Sequence, residues 1–214
     1  MSTLVEYESS ERYLKSLLEG RRSECSSIVK DYLAEKHSFN ELYENVLKIA
    51  LYEVGRLWEY NKITVAAEHL ATAITEGILN ELYPYIIPNK YNGKKVVLTC
   101  VDKEEHQVGI KMVADVFELN KWESFLLGRG FPTVELIKFI DKIKPDVLAI
   151  SLSVYFNFGN LKRMLTDINS IYPMLPIIVG GQALLHFSTS FLDEFPTVTY
   201  LTDLQQLEDF ILKF

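Results

Sequence analysis

The sequence is poor in the residues that mark several common classes of protein. Among its 214 residues are only two cysteines, Cys25 and Cys100. Two distant thiols make neither a disulfide framework nor a zinc-ligand spacing. They are expected to be reduced, in a cytoplasmic protein. Basic charge is also short: 22 Lys and Arg stand against 29 Asp and Glu, a formal net charge of -7. Phosphate binding needs a clustered basic surface, and the pair Arg21-Arg22 is too short to supply one, so no nucleic-acid face is expected. No apolar run reaches the length of a membrane span. The N-terminal "MSTLVEYESSERYLK" is acidic and polar, with no signal-peptide pattern. Internal repeats and low-complexity segments are absent as well. What remains is the composition of a soluble globular protein, 48% apolar and 24% charged.

Two periodicities divide the chain. From Ser9 to about residue 85 the pattern is helical. "SERYLKSLLEG" opens on serine and stops at Gly20, and "SECSSIVKDYLAEK" reads as a second helix. A third starts at Ser38, where Glu41 three residues on completes a capping-box pattern. Its apolar positions Leu42, Val46, Ile49, Ala50 and Val54 recur at helical spacing. "TVAAEHLATAITEGILNELYPYI" is the fourth. Four helices with short connections predict an antiparallel bundle over residues 1–88. "IPNKYNG" then reads as a linker. Beyond it, apolar strands alternate with amphipathic helices: "KKVVLTCV", "WESFLLG", "DVLAISLS", "PIIVGG" and "TVTYLT" are the strands. That alternation predicts a doubly wound, mainly parallel five-stranded Rossmann-like sheet over residues 93–214. The fold class is thus α/β with an N-terminal all-α part.

Polar residues gather where the first of these strands ends, in "CVDKEEHQVG". Strand ends are where α/β domains bind ligands. A histidine there can ligate a metal, titrate or cap a helix, and His106 alone does not decide among these. Its companions do. Glu104-x-His106-x-x-Gly109 follows the first strand, Ser151-Leu152-Ser153 ends the third, and Val179-Gly180-Gly181-Gln182-Ala183-Leu184 ends the fourth.

In that order the three segments resemble the D/E-x-H-x-x-G, S-x-L and paired-glycine motifs of cobalamin-binding domains. The resemblance runs over residues 10 to 210. It implies a helical cap above a corrin ring and an α/β domain below, with His106 as the lower cobalt ligand. Neutral imidazole suits cobalt, and Glu104 would accept the other ring N–H, fixing the tautomer. Gly180 and Gly181, lacking Cβ, would let the displaced nucleotide tail approach the backbone. Ser151 and Ser153 would offer hydroxyls to the tail or the corrin amides, Gly109 would relieve crowding beneath the ring, and Gln107 lies within the same motif. His37 and His186 have no motif around them and are expected to be structural.

The helical half carries a second resemblance. Trp58, nine residues, then Glu68-His69 is similar to the W-x9-EH spacing of adenosylcobalamin-dependent photoreceptors, the light-sensing regulators of carotenoid synthesis. That group implies Trp58 near the upper face and Glu68 and His69 holding the adenosyl group. Two departures stand out. The photoreceptors have histidine directly after the tryptophan, and here it is Glu59; after photolysis, water or His69 would take the upper site. No basic helix-turn-helix module precedes Ser9, so a signal would pass through self-association or a separate effector.

The expected function is therefore a cobalamin-binding sensor, light-responsive through adenosylcobalamin, with no catalytic residues of its own. The alternative is a corrinoid carrier subunit that shuttles methyl groups between methyltransferase proteins and uses methylcobalamin. A third reading is a module that stores or senses cobalamin without photochemistry. The fold class does not separate these.

Overall fold

The computed structural model describes residues 2–186 and 189–214, and the chain divides into two compact units, Met1–Tyr85 and Ile86–Phe214. Neither contains a helix long and apolar enough to cross a membrane among the described residues.

The first unit is helical. Helix α1 spans Ser2–Leu18, so it begins well before the serine expected from sequence. Helix α2 spans Arg22–Ala34. The third helix opens at Ser38 with the expected capping box: the Ser38 hydroxyl accepts from the Glu41 N–H, and the Glu41 carboxylate accepts from the Ser38 N–H. It runs as α3 (Phe39–Leu42), a π-helical stretch Tyr43–Lys48, and α4 (Ile49–Glu59), with helical dihedrals at both joints. Helix α5 spans Val65–Leu82 and is capped by Thr64, whose hydroxyl accepts from the Ala67 N–H.

The π-helical stretch has a physical reason in the sequence. Leu42, Val46, Ala50 and Val54 are all buried, one every four residues. At 3.6 residues per turn such a stripe drifts by roughly 40° per step, so in a regular α-helix it would walk off the core. A wider turn takes up part of the drift. Ile49, grouped with the core positions by its spacing, is instead half exposed. A buried hydrogen bond between the Tyr13 and Thr75 hydroxyls (3.1 Å) ties α1 to α5. Ser26 donates to the Glu81 carboxylate at 2.6 Å, which ties α2 to α5.

The second unit is a five-stranded sheet of order β2-β1-β3-β4-β5, every pair parallel. The strands are β1 (Lys95–Cys100), β2 (Glu123–Gly128), β3 (Val147–Ser151), β4 (Ile177–Gly180) and β5 (Val198–Tyr200). Central β1 and β3 are almost wholly buried, as strands covered on both faces must be. Four helices cover the faces: α6 (Val108–Leu119), α7 (Thr133–Ile143), α8 (Phe158–Ile171) and α9 (Leu204–Ile211). Helix α6 packs with α9, and α7 with α8. Because side chains alternate along a strand, Val97, Leu148, Ile150, Ile177 and Val179 share the face under Leu136, Ile140, Leu161 and Leu165 of α7 and α8. The strand order reverses between β1 and β3. In open α/β sheets that switch point is where ligands sit, outside the carboxyl ends of the strands.

Candidate functional site

The three sequence motifs meet at that switch point. Cys100 pairs with Ser151, and Ser151 with Gly180, so the ends of β1, β3 and β4 form one row across the sheet. The chain leaves β1 through a turn in which Lys103 takes a left-handed conformation (φ 67°). That turn sends the Glu104 side chain inward.

Glu104 is fully buried, and its carboxylate is the hub of the site. Oε1 accepts from the His106 backbone N–H at 3.1 Å and bonds the His106 ring at Nδ1, 2.5 Å away. Oε2 accepts from Val154 N–H (2.9 Å), Ser153 N–H (3.1 Å) and the Asn157 amide (3.3 Å). Burial pushes the carboxyl pKa up, but the hydrogen bonds from His106 and Val154 outweigh it and hold the group below the usual glutamate range. An ionised acceptor thus faces Nδ1. Nδ1 then carries the proton, and Nε2 is the nitrogen a metal would take. The His106 side chain is 52% exposed.

The surroundings fit a metal that a macrocycle already holds. Among the described residues, no three His, Cys, Asp or Glu side chains gather as a metal-binding group. One imidazole, oriented from behind by Glu104, would add a single ligand to such a metal. Gly109 adds a second sign. It lies in the first turn of α6, and a Cβ built on it meets no atom within 4 Å. Glycine in a helix is about 1 kcal/mol less favourable than alanine, yet nothing in the unit itself needs glycine there. Gly109→Ala should therefore raise the melting temperature slightly while weakening cobalamin binding, read by thermal denaturation and spectral titration on the same samples. A variant that is stabilised and binds unchanged would free Gly109 of any part in the site.

The paired glycines also have a reason within the fold. A Cβ on Gly181 (φ 114°) would lie 2.2 Å from the Leu152 carbonyl oxygen, and one on Gly180 would lie 3.1 Å from the Leu201 carbonyl oxygen. The protein's own backbone makes the close approach. Ser151 is buried, and its carbonyl accepts from Val101 N–H at 3.0 Å. Ser153 is brought to the site by its backbone N–H. The Gln107 side chain turns toward β2: its Oε1 would meet a Cβ on Gly128 at 2.6 Å and accepts from Arg129 N–H at 3.4 Å.

Sequence reasoning missed Asn157. It sits at the start of α8, where asparagine normally caps a helix. Here its amide caps nothing in α8 and donates to Glu104 and to the Lys103 carbonyl. Asn160 extends the same tie to the Asp102 carbonyl at 3.1 Å. An asparagine just past the third strand was the available signal. Cys100, directly before the loop, is fully buried, and burial pushes its thiol up to about 12.

In the helical unit, Glu68 bonds the His69 ring at Nδ1 (2.5 Å) and accepts from the Thr72 hydroxyl at 2.9 Å. The carboxylate is thereby fixed on the first turns of α5, and the His69 side chain is mostly exposed. Trp58, near the end of α4, is 46% exposed. These residues lie on the two helices joined by the 60–64 turn.

Known proteins resemble the chain in both of its units. Two family models, each described as a B12 binding domain, match residues 10–83 and 94–192. The HTH-type transcriptional repressor CarH of Myxococcus xanthus is 28% identical over 143 residues, covering 66% of this chain and 47% of that protein. CarA of the same organism is 26% identical over 120 residues, covering 56% and 41%. The chain thus spans less than half the length of these curated relatives. Among solved structures, the Methanosarcina barkeri monomethylamine corrinoid protein superposes with a TM-score of 0.80 at 14% identity, over 97% of this chain and 98% of that one. The methanol:cobalamin methyltransferase complex MtaBC of the same organism gives 0.52 at 16%, over 97% and 81%. At these identities the structural likeness speaks for the fold. Matched in both its helical and its α/β unit, the chain belongs to the B12-binding domain family and is a cobalamin-binding module.

Proposed function

We propose that this module is a light-responsive sensor that carries adenosylcobalamin, with His106 as the lower cobalt ligand. The observation that carries the reading is the Glu104 clamp: a buried, ionised carboxylate holds the ring at Nδ1 and presents Nε2 to the metal. Gly109 would leave room for the ring, and the ends of β3 and β4 would hold the nucleotide tail. The helical unit would supply Trp58 as an aromatic wall and Glu68 as an acceptor for the ribose. Adenosylcobalamin contributes a light-labile cobalt–carbon bond, which is the cofactor's own chemistry. The chain's part is to select that form, orient it and convert its loss into movement. The output is a change in self-association or in affinity for a separate effector, since a switch needs a readout. The W-x9-EH spacing and the similarity to CarH and CarA support this reading.

A corrinoid carrier of methyl groups is the second reading. The chain shares its fold with the monomethylamine corrinoid protein. One experiment separates the two. Purified protein is reconstituted in the dark with adenosyl- or methylcobalamin, then illuminated and passed over a sizing column. The sensor reading expects preference for the adenosyl form, erosion of that preference in Trp58→Ala with His106 ligation intact, and a change of hydrodynamic size or partner affinity on illumination. Because Glu59 follows Trp58, the illuminated protein should carry water or His69 above the cobalt. Preference for methylcobalamin, with size and partner affinity indifferent to light, would establish the carrier instead.

A further inference from the structure

Phe156 is 91% exposed, the most exposed large apolar side chain among the described residues. Single apolar residues at a surface are ordinary. What distinguishes this one is how firmly its backbone is held, and by what. It lies in the turn Tyr155–Asn157 that follows β3. On its N-terminal side, Ser153 and Val154 donate to Oε2 of Glu104, and on its C-terminal side Asn157 donates to the same oxygen. The other oxygen of that carboxylate holds His106. Asn157 and Asn160 also bind the carbonyls of Lys103 and Asp102. The loop after β1 and the turn after β3 are therefore fastened to each other, on strands paired to their last residues. The neighbouring Tyr155, half exposed, tilts against Phe156 at 6.5 Å and stacks on Phe158, and Phe158 meets Phe191 edge-on at 4.8 Å.

We infer that Phe156 is a corrin contact, a fixed apolar rim against which the edge or lower face of the macrocycle seats once His106 binds the cobalt. The inference rests on the cobalamin reading above and deepens it. A flat macrocycle ligated through His106 spreads sideways over the strand ends, and the turn after β3 is the neighbour fastened to that histidine. The corrin periphery carries methyl groups, which suit a phenyl ring better than water does. Because one buried carboxylate fixes both residues, ligand and rim keep their relative position. The inference falls on Phe156 because it is 91% exposed, against 53% for Tyr155, whose ring also stacks on Phe158.

The test uses the full chain and adenosylcobalamin in the dark. Cys25 and Cys100 are fully buried, with thiols pushed up to about 11 and about 12, so they give little background to a thiol reagent. Phe156→Cys should react readily with N-ethylmaleimide, and the cofactor should slow that reaction by roughly tenfold, as cover by a bound ligand predicts. In parallel, Phe156→Ala should weaken cobalamin binding by roughly tenfold, with Phe156→Leu in between, while the absorption spectrum stays that of the histidine-ligated form. An alkylation rate indifferent to cobalamin, together with unchanged affinity in Phe156→Ala, would place Phe156 outside the corrin's reach, facing a protein partner, and overturn the inference. Wild-type protein that binds no corrinoid would remove the cobalamin reading itself, and this inference with it.

Discussion

His106→Ala should abolish the histidine-ligated absorption spectrum and weaken cobalamin binding more than any other single substitution in the site. Glu104→Gln should come next. Partners behind a ligating histidine typically change metal affinity by roughly 10–100-fold. Glutamine here does further harm. Whichever way its amide turns, an NH2 group faces backbone N–H donors in a fully buried spot. Leaving such donors unmatched costs about 1–3 kcal/mol, so the variant should also melt earlier. Glu105→Gln is the control, because Glu105 is exposed and pairs with Arg129 at 3.8 Å. Spectral titration and thermal melts of the three variants check the order. If His106→Ala keeps the wild-type spectrum and affinity, another residue ligates the cobalt. Equal effects at positions 104 and 105 would mean that the clamp does not act on the ring.

Gly181→Ala should leave the α/β unit unable to fold. The added Cβ would come within 2.2 Å of the Leu152 carbonyl oxygen and within 2.8 Å of its nitrogen, so backbone would have to yield. The φ of 114° adds strain for any residue with a side chain. Rigid backbone clashes belong to the rare substitutions that cost more than about 4 kcal/mol, against a total stability of about 5–15 kcal/mol for a typical domain. Gly180→Ala, at 3.1 Å from the Leu201 carbonyl oxygen, should cost less. Urea denaturation of both variants, beside Gly109→Ala, tests the ranking. A Gly181→Ala protein with wild-type stability would mean that β4 leaves the sheet by another path.

The strands and most helices were legible because each carries its own period. β1 and β3 are apolar runs bounded by polar residues, and Ser38 with Glu41 announces a helix start within four residues. What escaped the sequence depends on contacts between segments far apart in the chain. Asn157 has the address of a helix cap, and only the fold brings Lys103 and Glu104 within reach of its amide. The glycine pair suggests a ligand, and only the parallel pairing of β3 and β4 reveals that Leu152 also demands a glycine at 181. Ser9 and Ser10 offer a cap pattern inside a helix that begins at Ser2. In α3 to α4 the apolar spacing also fits an ordinary helix, and the four-residue step of Leu42, Val46, Ala50 and Val54 is the trace of the wider turn.

That wider turn has a consequence for torsion. Residues Tyr43–Lys48 are wound more loosely than the segments on either side, in one unbroken helix. Such a stretch is a swivel. Rewinding it to α geometry would twist everything beyond it about the helix axis, by up to roughly 40° for each four-residue step it now absorbs. Trp58 lies ten residues past the end of the stretch, so its indole would sweep sideways while the helix stayed whole and its Ser38 cap stayed closed. The helical unit could thus re-aim Trp58 by changing winding alone, without bending or unfolding a helix.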